Sequence, residues 1–409
     1  MAQPANRRLV TEDELDDYLT SDAASGEYAT IDYVDGKVQE GDSRITMAPD
    51  RAGDRAGAFK PGLCLYEPLA SSVDMGGIYD SVRSALNGDS HLRISWAGHS
   101  IVAGKGATPG ANDYVRLSTL RAAQQGVSYT GAAIAYNNVA LDDRWTKDAE
   151  WIVDSASGPR KDNVQQHLLC RASGKSVTYR SVEPGTIVRI YTFSNGSALK
   201  YSIDGGTQQN ITPAGGSSMQ VTQVTGLSNT PHSVTVTSTT TATAFLLGIS
   251  VAQTYGLEIA NHGYSGAVCK DWSPGHRNSA FYNPYNNIVG MSPDIVVVQL
   301  GANEAIHSVG NLSADLDEVI SALKSDVPNV IMVADPPVES SSVTTWFSDF
   351  YPVLYDIADA QKVPLLDFSS HWLSRAAASG AGLYDDQWHP NGAGYFDLAE
   401  LVGRSLLGL

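Results

Sequence analysis

Residues 92–104 read LRISWAGHSIVAG. Leu92, Ile94 and Trp96 alternate with Arg93 and Ser95, the period of a β-strand. The run then stops on Gly-His-Ser, residues that permit a tight turn. Two readings are open. Ser100 is either turn punctuation or a nucleophile presented at the carboxyl edge of a sheet, and the stretch alone does not choose between them. Its neighbours set the fold class. Upstream, DMGGIYDSVRSALNG (74–88) carries helical spacing at Ile78, Val82 and Leu86 and stops on Asn-Gly. Downstream, NDYVRLSTLRAAQQG (112–126) places Val115, Leu117, Leu120 and Ala123 at apolar positions, with Gly126 where a helix ends. Helix, strand, serine turn and helix form an α/β opening.

From about 141 to 252 the character changes. SVTYRSV (176–182), TIVRIYTFS (186–194), ALKYSID (198–204), SSMQVTQVTGL (217–227), HSVTVTSTTT (232–241) and TAFLLGISV (243–251) are short alternating runs separated by turn residues. This spacing predicts an all-β sandwich. The α/β pattern then resumes. YGLEIANHG (255–263) reads as strand and turn, and PDIVVVQLGANE (293–304) as a fully buried strand of parallel type. LSADLDEVISALKSDVPN (312–329) has Leu316, Val319, Ile320 and Leu323 on one helical face. A strand at NVIMVADPP (329–337), a helix at 346–362, a strand at VPLLDFS (363–369) and a terminal helix from 392 complete the series. The expected organisation is an N-terminal arm or attachment segment at 1–75, an α/β domain at 76–140 and 253–409, and a β-sandwich inserted at 141–252. Alternating strands and helices imply a parallel sheet covered on both faces.

The chain of 409 residues carries a formal net charge of −17 and is 42% hydrophobic. The acidic balance argues against nucleic acid and anionic membrane surfaces as partners. No apolar run approaches the roughly 20 residues of a membrane span, so no membrane insertion is expected. The first twenty residues lack the apolar core of a secretory signal. Cys64, Cys170 and Cys269 lie far apart, with neither a disulfide framework nor metal-ligand spacing, and no His pair has zinc-site spacing. Neither metal nor cofactor is expected.

Ligands of such sheets bind beyond the carboxyl ends of the strands. Those ends deliver Ser100, then Asn261 and Gly263, then Gly301 and Asn303, while YDDQWHPNGAG (384–394) before the last helix carries Asp386 and His389. A serine hydroxyl needs a base to take its proton, and His389 suits that role. The imidazole needs an acceptor to fix its tautomer, and Asp386 stands three residues earlier, ahead of its neighbour Asp385. The backbone N–H of Ser100, the backbone N–H of Gly263 and the Asn303 amide would stabilise an oxyanion. A side chain at 263 would obstruct the approach of substrate. Asn261 and Trp388, beside these motifs, are substrate-binding candidates.

The motifs GHS (98–100), NHGYSG (261–266), GAN (301–303) and DQWHP (386–390), in this order, resemble those of the SGNH hydrolases, the GDSL-type esterases and lipases. The resemblance implies a flavodoxin-like three-layer α/β/α sandwich with a parallel sheet, and an acyl-enzyme mechanism. One position departs from it: His99 stands where the family has Asp, a residue that commonly helps orient neighbouring loops. His99 is also a rival to His389 as base, though a residue next to the nucleophile on a tight turn usually points elsewhere. YSIDGGTQQ (201–209) and GLSNTPHSVTVTS (226–238) resemble jelly-roll, carbohydrate-binding-like modules. Trp145, Trp151, Tyr191 and Phe193 are candidates for a sugar platform there, the last two equally for core. The combination is similar to phage tail-associated esterases. It implies removal of O-acetyl or other short acyl groups from a cell-surface or cell-wall carbohydrate by a virion component, with a cytoplasmic protein as the alternative, assembled as a homo-oligomer through its arm or with other virion proteins. A non-catalytic receptor-binding tail protein and a lipase for longer acyl chains are the alternatives.

Overall fold

The computed structural model describes residues 58–60, 63–104, 129–134, 145–154, 167–181, 184–193, 198–211, 219–263, 265–274, 283–307, 311–338, 349–372 and 374–408. The segment 1–57 of the expected arm and the helix expected at 112–126 lie outside these residues.

The chain opens with β1 (Ala58–Lys60), β2 (Leu65–Glu67), α1 (Met75–Leu86), β3 (His91–Gly98) and β4 (Tyr129–Ile134). The next ten strands run from three to twelve residues. They are β5 (Trp145–Lys147), β6 (Trp151–Asp154), β7 (His167–Cys170), β8 (Lys175–Arg180) and β9 (Gly185–Phe193). Then come β10 (Leu199–Ile203), β11 (Gln209–Ile211), β12 (Met219–Thr230), β13 (Ser233–Ser238) and β14 (Ala244–Ala252). The α/β alternation returns with β15 (Gly256–Asn261), α2 (Pro284–Gly290), β16 (Ile295–Gln299), α3 (Ala302–His307) and α4 (Leu312–Asp326). It closes with β17 (Asn329–Ala334), α5 (Tyr351–Gln361), β18 (Leu365–Asp367), α6 (Phe368–Trp372), α7 (Arg375–Gly380) and α8 (Gly392–Val402).

Strands β18, β17, β16, β3, β15 and β4 run parallel, in that order across the sheet. Successive side chains alternate between two cores. Ile94, Trp96, Ile295, Val297, Ile331 and Val333 pack on one face with α1 and α8. Ala97, Val296, Val298, Val330 and Met332 pack on the other with α4 and α5. That is the expected three-layer α/β/α sandwich. On α4 the four buried residues are those the helical period singled out: Leu316, Val319, Ile320 and Leu323.

Two boundaries differ from expectation. Strands β1 and β2 are not part of an arm, because β1 pairs with β2 and β2 pairs antiparallel with β18, burying Leu65 and Tyr66 at the edge of the main sheet. Covering that edge satisfies backbone groups that β18 would otherwise leave open. Strand β4, unanticipated, belongs to both halves of the molecule. It is parallel to β15 on one side and antiparallel to β14 on the other. Beyond it lie two antiparallel sheets: β14, β7 and β6 with β9 and β12, facing β11, β10, β13, β8 and β5. A shared core of Trp151, Val177, Tyr179, Ile190, Val236 and Leu246 joins them as a sandwich.

A buried charge cluster ties the sandwich to the parallel sheet. Glu258 on β15, fully buried, meets Arg189 of β9 at 2.7 Å, His91 of β3 at 3.1 Å and Arg93 of β3 at 3.3 Å. Burial pushes the Glu258 carboxyl up, but His91 and the two guanidinium groups more than offset it and hold its pKa at about 2. At the other end of the sheet, loops after β15 clamp the turn after β3. Asn261 Nδ2 donates to the Val102 carbonyl at 2.6 Å, and Gly263 N–H donates to Asn261 Oδ1 at 2.8 Å. A Cβ on Gly263 would lie 2.4 Å from Ala103 N and 2.6 Å from the Val102 carbonyl carbon. Gly263 is therefore required by the packing of two loops rather than by access for substrate.

Replacing Glu258 with Gln leaves buried cations uncompensated, and urea unfolding at neutral pH should show a loss of about 3 kcal/mol. The carboxyl is more acidic in the folded chain, so its contribution is present above the ordinary value of 4.5 and is lost as pH falls toward about 2. The gap between wild type and Glu258→Gln should close across that window. Gly263→Ala should cost about 2 kcal/mol in the same assay, because backbone atoms of the neighbouring turn must move.

Candidate active site

Ser100 begins the turn that follows β3, with the turn closed by Ala103 N–H to the His99 carbonyl at 3.0 Å. Gly98 permits the close entry: a Cβ there would sit 2.3 Å from Val102 Cγ2 and 2.8 Å from the Gln299 carbonyl oxygen. The Ser100 side chain ends 3.0 Å from His389 Nε2, across 289 positions of sequence. His389 Nδ1 lies 2.8 Å and 3.0 Å from the two Asp386 carboxylate oxygens. The same carboxylate accepts the backbone N–H groups of Trp388 at 2.6 Å and His389 at 2.7 Å. The i, i+3 spacing thus folds into a carboxylate-centred loop that holds the ring and its own backbone together.

This geometry fixes the chemistry of each atom. With Nδ1–H donated to Asp386, Nε2 is left bare and accepts the Ser100 hydroxyl proton. Burial pushes the Asp386 carboxyl up, yet the bonds from His389 and the two backbone N–H groups hold it below the usual carboxylate range. It therefore stays ionised beside the imidazole. Asp385 is excluded as partner, since its backbone N–H donates to the His389 carbonyl while Asp386 faces the ring.

Asn303 lies in the first turn of α3 and donates one Nδ2 hydrogen to the Ala267 carbonyl at 2.8 Å. That bond orients the amide, and its second hydrogen remains a donor. The Ser100 backbone N–H has no acceptor among the described residues. The expected third donor differs: the Gly263 N–H is committed to Asn261 Oδ1. Asn261 likewise differs from its expected place as a substrate ligand, because both ends of its amide bind backbone. Trp388 is half-buried beside the His389 loop and packs partly against the α4–α5 core.

The sugar platform expected on the sandwich is not formed by the aromatics singled out. Trp145 is 7% exposed and stacks on Tyr179 at 4.9 Å within the sandwich core, and Trp151, Tyr191 and Phe193 are buried too. Trp145 and Trp151 fill the core between the two sheets, whereas Tyr191 and Phe193 fill a separate core with Phe245, Ala260 and Met291. His99 is not a rival base. Its ring points at Asp335, 2.9 Å from Nε2, and both side chains are buried. Sequence reasoning missed Asp335 and the nearby buried Glu304. The signal for the first was available: a histidine in place of an acid beside the nucleophile calls for a carboxylate, and ADPP ends the second strand over. Among the described residues no group of three His, Cys, Asp or Glu side chains is arranged to hold a metal ion.

The model of the GDSL-like lipase/acylhydrolase family matches residues 225–395. That span takes in Asn303, Asp386 and His389, while Ser100 precedes it on the far side of the inserted strands. Among solved structures, one titled a peptidoglycan O-acetylesterase in action superposes with a TM-score of 0.63 at 14% identity, covering 84% of this chain and 98% of its own. A family two carbohydrate esterase from Clostridium thermocellum, in complex with cellohexaose, gives a TM-score of 0.29 at 15% identity, covering 64% of this chain and 99% of its own. Bacteriophage adsorption protein A of Escherichia coli (strain K12) is 32% identical over 134 residues, which cover 31% of this chain. The chain spans 13% of the length of that curated relative. The superposition shows that the chain has the fold of that esterase, and residues 225–395 are similar to the GDSL-like lipase/acylhydrolase family.

Proposed function

We propose that the chain is a serine esterase of the SGNH kind that removes short acyl groups, chiefly O-acetyl, from a cell-wall or cell-surface carbohydrate through a covalent acyl-enzyme. The observation that carries the reading is the alignment of Ser100 Oγ, His389 and Asp386, with Ser100 Oγ and His389 Nε2 at 3.0 Å. As Ser100 Oγ attacks the ester carbonyl, His389 Nε2 takes its proton and the Asp386 carboxylate stabilises the imidazolium. Negative charge develops on the former carbonyl oxygen and is met by the Ser100 N–H and the free Asn303 amide hydrogen. The imidazolium then protonates the leaving sugar hydroxyl. In the second half His389 draws a proton from water, which attacks the acyl group and releases Ser100.

The carbohydrate side of the reading draws support from the superposed structure, whose title names a peptidoglycan O-acetylesterase. Short acyl groups fit the surface better than long chains do. Among the described residues the exposed large apolar side chains are Leu69, Ile152 and Val221, none of them in the motifs around Ser100. A purely binding tail protein gives no reason for a hydroxyl, a ring and a carboxylate to line up in this order. Placement in a phage particle is a further part of the proposal. Its support is the motif combination and the similarity to a bacteriophage adsorption protein, and mass spectrometry of purified virions lacking the chain would remove it.

Acetate release from O-acetylated peptidoglycan, run beside p-nitrophenyl acetate hydrolysis, tests the reading. Ser100→Ala should reduce both to the uncatalysed background while leaving unfolding unchanged. Retained activity would refute the assignment. Asn303→Ala should lower kcat by about 10²–10³ with little change in KM, as expected of a donor engaged in the transition state. Activity should fall on acidification as His389 takes a proton, and a profile flat from pH 8 to pH 5 would exclude a histidine base.

A further inference from the structure

The residue before the nucleophile occupies a buried polar node of its own. His99 Nε2 lies 2.9 Å from Asp335 Oδ1, and the same oxygen accepts a hydrogen bond from Gln299 Nε2 at 2.7 Å. Asp335 follows β17, Gln299 ends β16 and His99 follows β3, so one carboxylate gathers the carboxyl ends of three neighbouring parallel strands. On its other side the imidazole faces the nucleophile turn, where Ile101 N–H points at His99 Nδ1 across 3.4 Å. Glu304 of α3, next to Asn303, also faces this imidazole. Burial pushes the Glu304 carboxyl up, and its Oε1 accepts the Cys269 N–H. Tyr384 senses the Asp335 charge from beyond. His389 reaches the same turn through its bond to Ser100 Oγ.

The contacts define a tautomer. The Ile101 N–H at Nδ1 leaves that nitrogen bare, so the neutral imidazole carries its hydrogen on Nε2, which lies 2.9 Å from Asp335 Oδ1 but off the line of a hydrogen bond. A second proton would have to go to Nδ1. There it would oppose the Ile101 N–H, donor against donor, inside the short turn that carries Ser100.

We propose that His99 and Asp335 form a positioning pair that holds the nucleophile turn in attacking geometry only while His99 Nδ1 is unprotonated, giving the esterase a second proton switch separate from its catalytic base. The inference rests on the esterase reading above. Burial works against the imidazolium, but Asp335, aided by Glu304, more than offsets it, so His99 takes its proton above the ordinary imidazole range. A group with a raised folded-state pKa contributes stability that is fully present below its unfolded value and is lost as pH rises through the folded one. Stability and activity therefore change in opposite directions with the protonation of this one ring. A residue that served packing alone would not produce that opposition.

The test is the pH dependence of kcat for p-nitrophenyl acetate in wild type, His99→Gln and Asp335→Asn, with Ser100→Ala as control. Gln keeps a donor for Asp335 and does not titrate. Below the limb the wild-type rate should fall about 100-fold per pH unit, reflecting two protons, and the His99→Gln rate about tenfold, with KM within about twofold. Asp335→Asn keeps an oxygen acceptor but removes the charge, so its second proton should be taken up at a pH at least about one unit lower. Long-range ¹H–¹⁵N spectra of histidine-labelled wild-type chain should show His99 Nδ1 bare at alkaline pH and titrating with the steeper limb. Profiles of equal slope in wild type and His99→Gln, or a His99 ring protonated on Nδ1 throughout, would overturn the inference while leaving the esterase reading intact. Full activity in Ser100→Ala would instead overturn that reading, and the spectra would still decide the behaviour of His99.

Discussion

A hydrogen bond joins two side chains, Ser100 Oγ and His389 Nε2, that are 289 residues apart in the chain. For such a bond to form at 3.0 Å, everything between must be held to a fraction of an ångström: the order of the parallel strands, the turn after β3 and the loop before α8. The parallel sheet supplies the order. Its strands all end on one side, so the turns after β3, β15, β16 and β17 are delivered to a common edge. Side chains then lock those turns to one another. Asn261 ties the loop after β15 to the turn after β3, Asp335 ties β17 to β16 and β3, and Asn303 ties the start of α3 to Ala267. The reactive groups thus sit on a frame whose own polar contacts are made before substrate arrives.

The sandwich is continuous with this frame rather than hung from it. Strand β4 gives one edge to β15 and the other to β14, and Glu258 links β15 and β3 to β9 through buried charge. Both connections lie in backbone pairing and buried ion pairs, which resist bending. The sandwich is therefore held against the parallel sheet by both backbone and side-chain contacts. Trp145, Trp151, Tyr191 and Phe193 are all buried, the first two between its sheets and the last two against Ala260 and Met291.

What was legible in the sequence follows from how local each signal is. Helix α4 was readable because Leu316, Val319, Ile320 and Leu323 repeat at the helical period, and β16 because IVVVQ is apolar without interruption. Ser100, Asn303, Asp386 and His389 were readable because each motif pairs a special residue with a turn, and four motifs fell in order. Strand β4 escaped because its small residues Gly131, Ala132 and Ala133 carry no alternation. Strand β2 escaped because three residues are too few to show a period. Misassignments at the site share one cause. Asn261, Gly263 and Trp145 have the right chemistry for binding, but whether an amide or a ring faces substrate or protein is decided by contacts between distant segments. His99 shows the reverse case: its substitution for an acid was visible, and its meaning came only with Asp335.

Esterase action at this site requires a covalent acyl intermediate on Ser100. The most direct measurement is intact-mass analysis, followed by peptide mapping, of wild-type chain quenched during turnover of a slowly deacylated ester. A single acyl group on the peptide containing Ser100 is the predicted result. An unmodified chain under conditions of steady product release, or an acyl group carried by another residue, would contradict it.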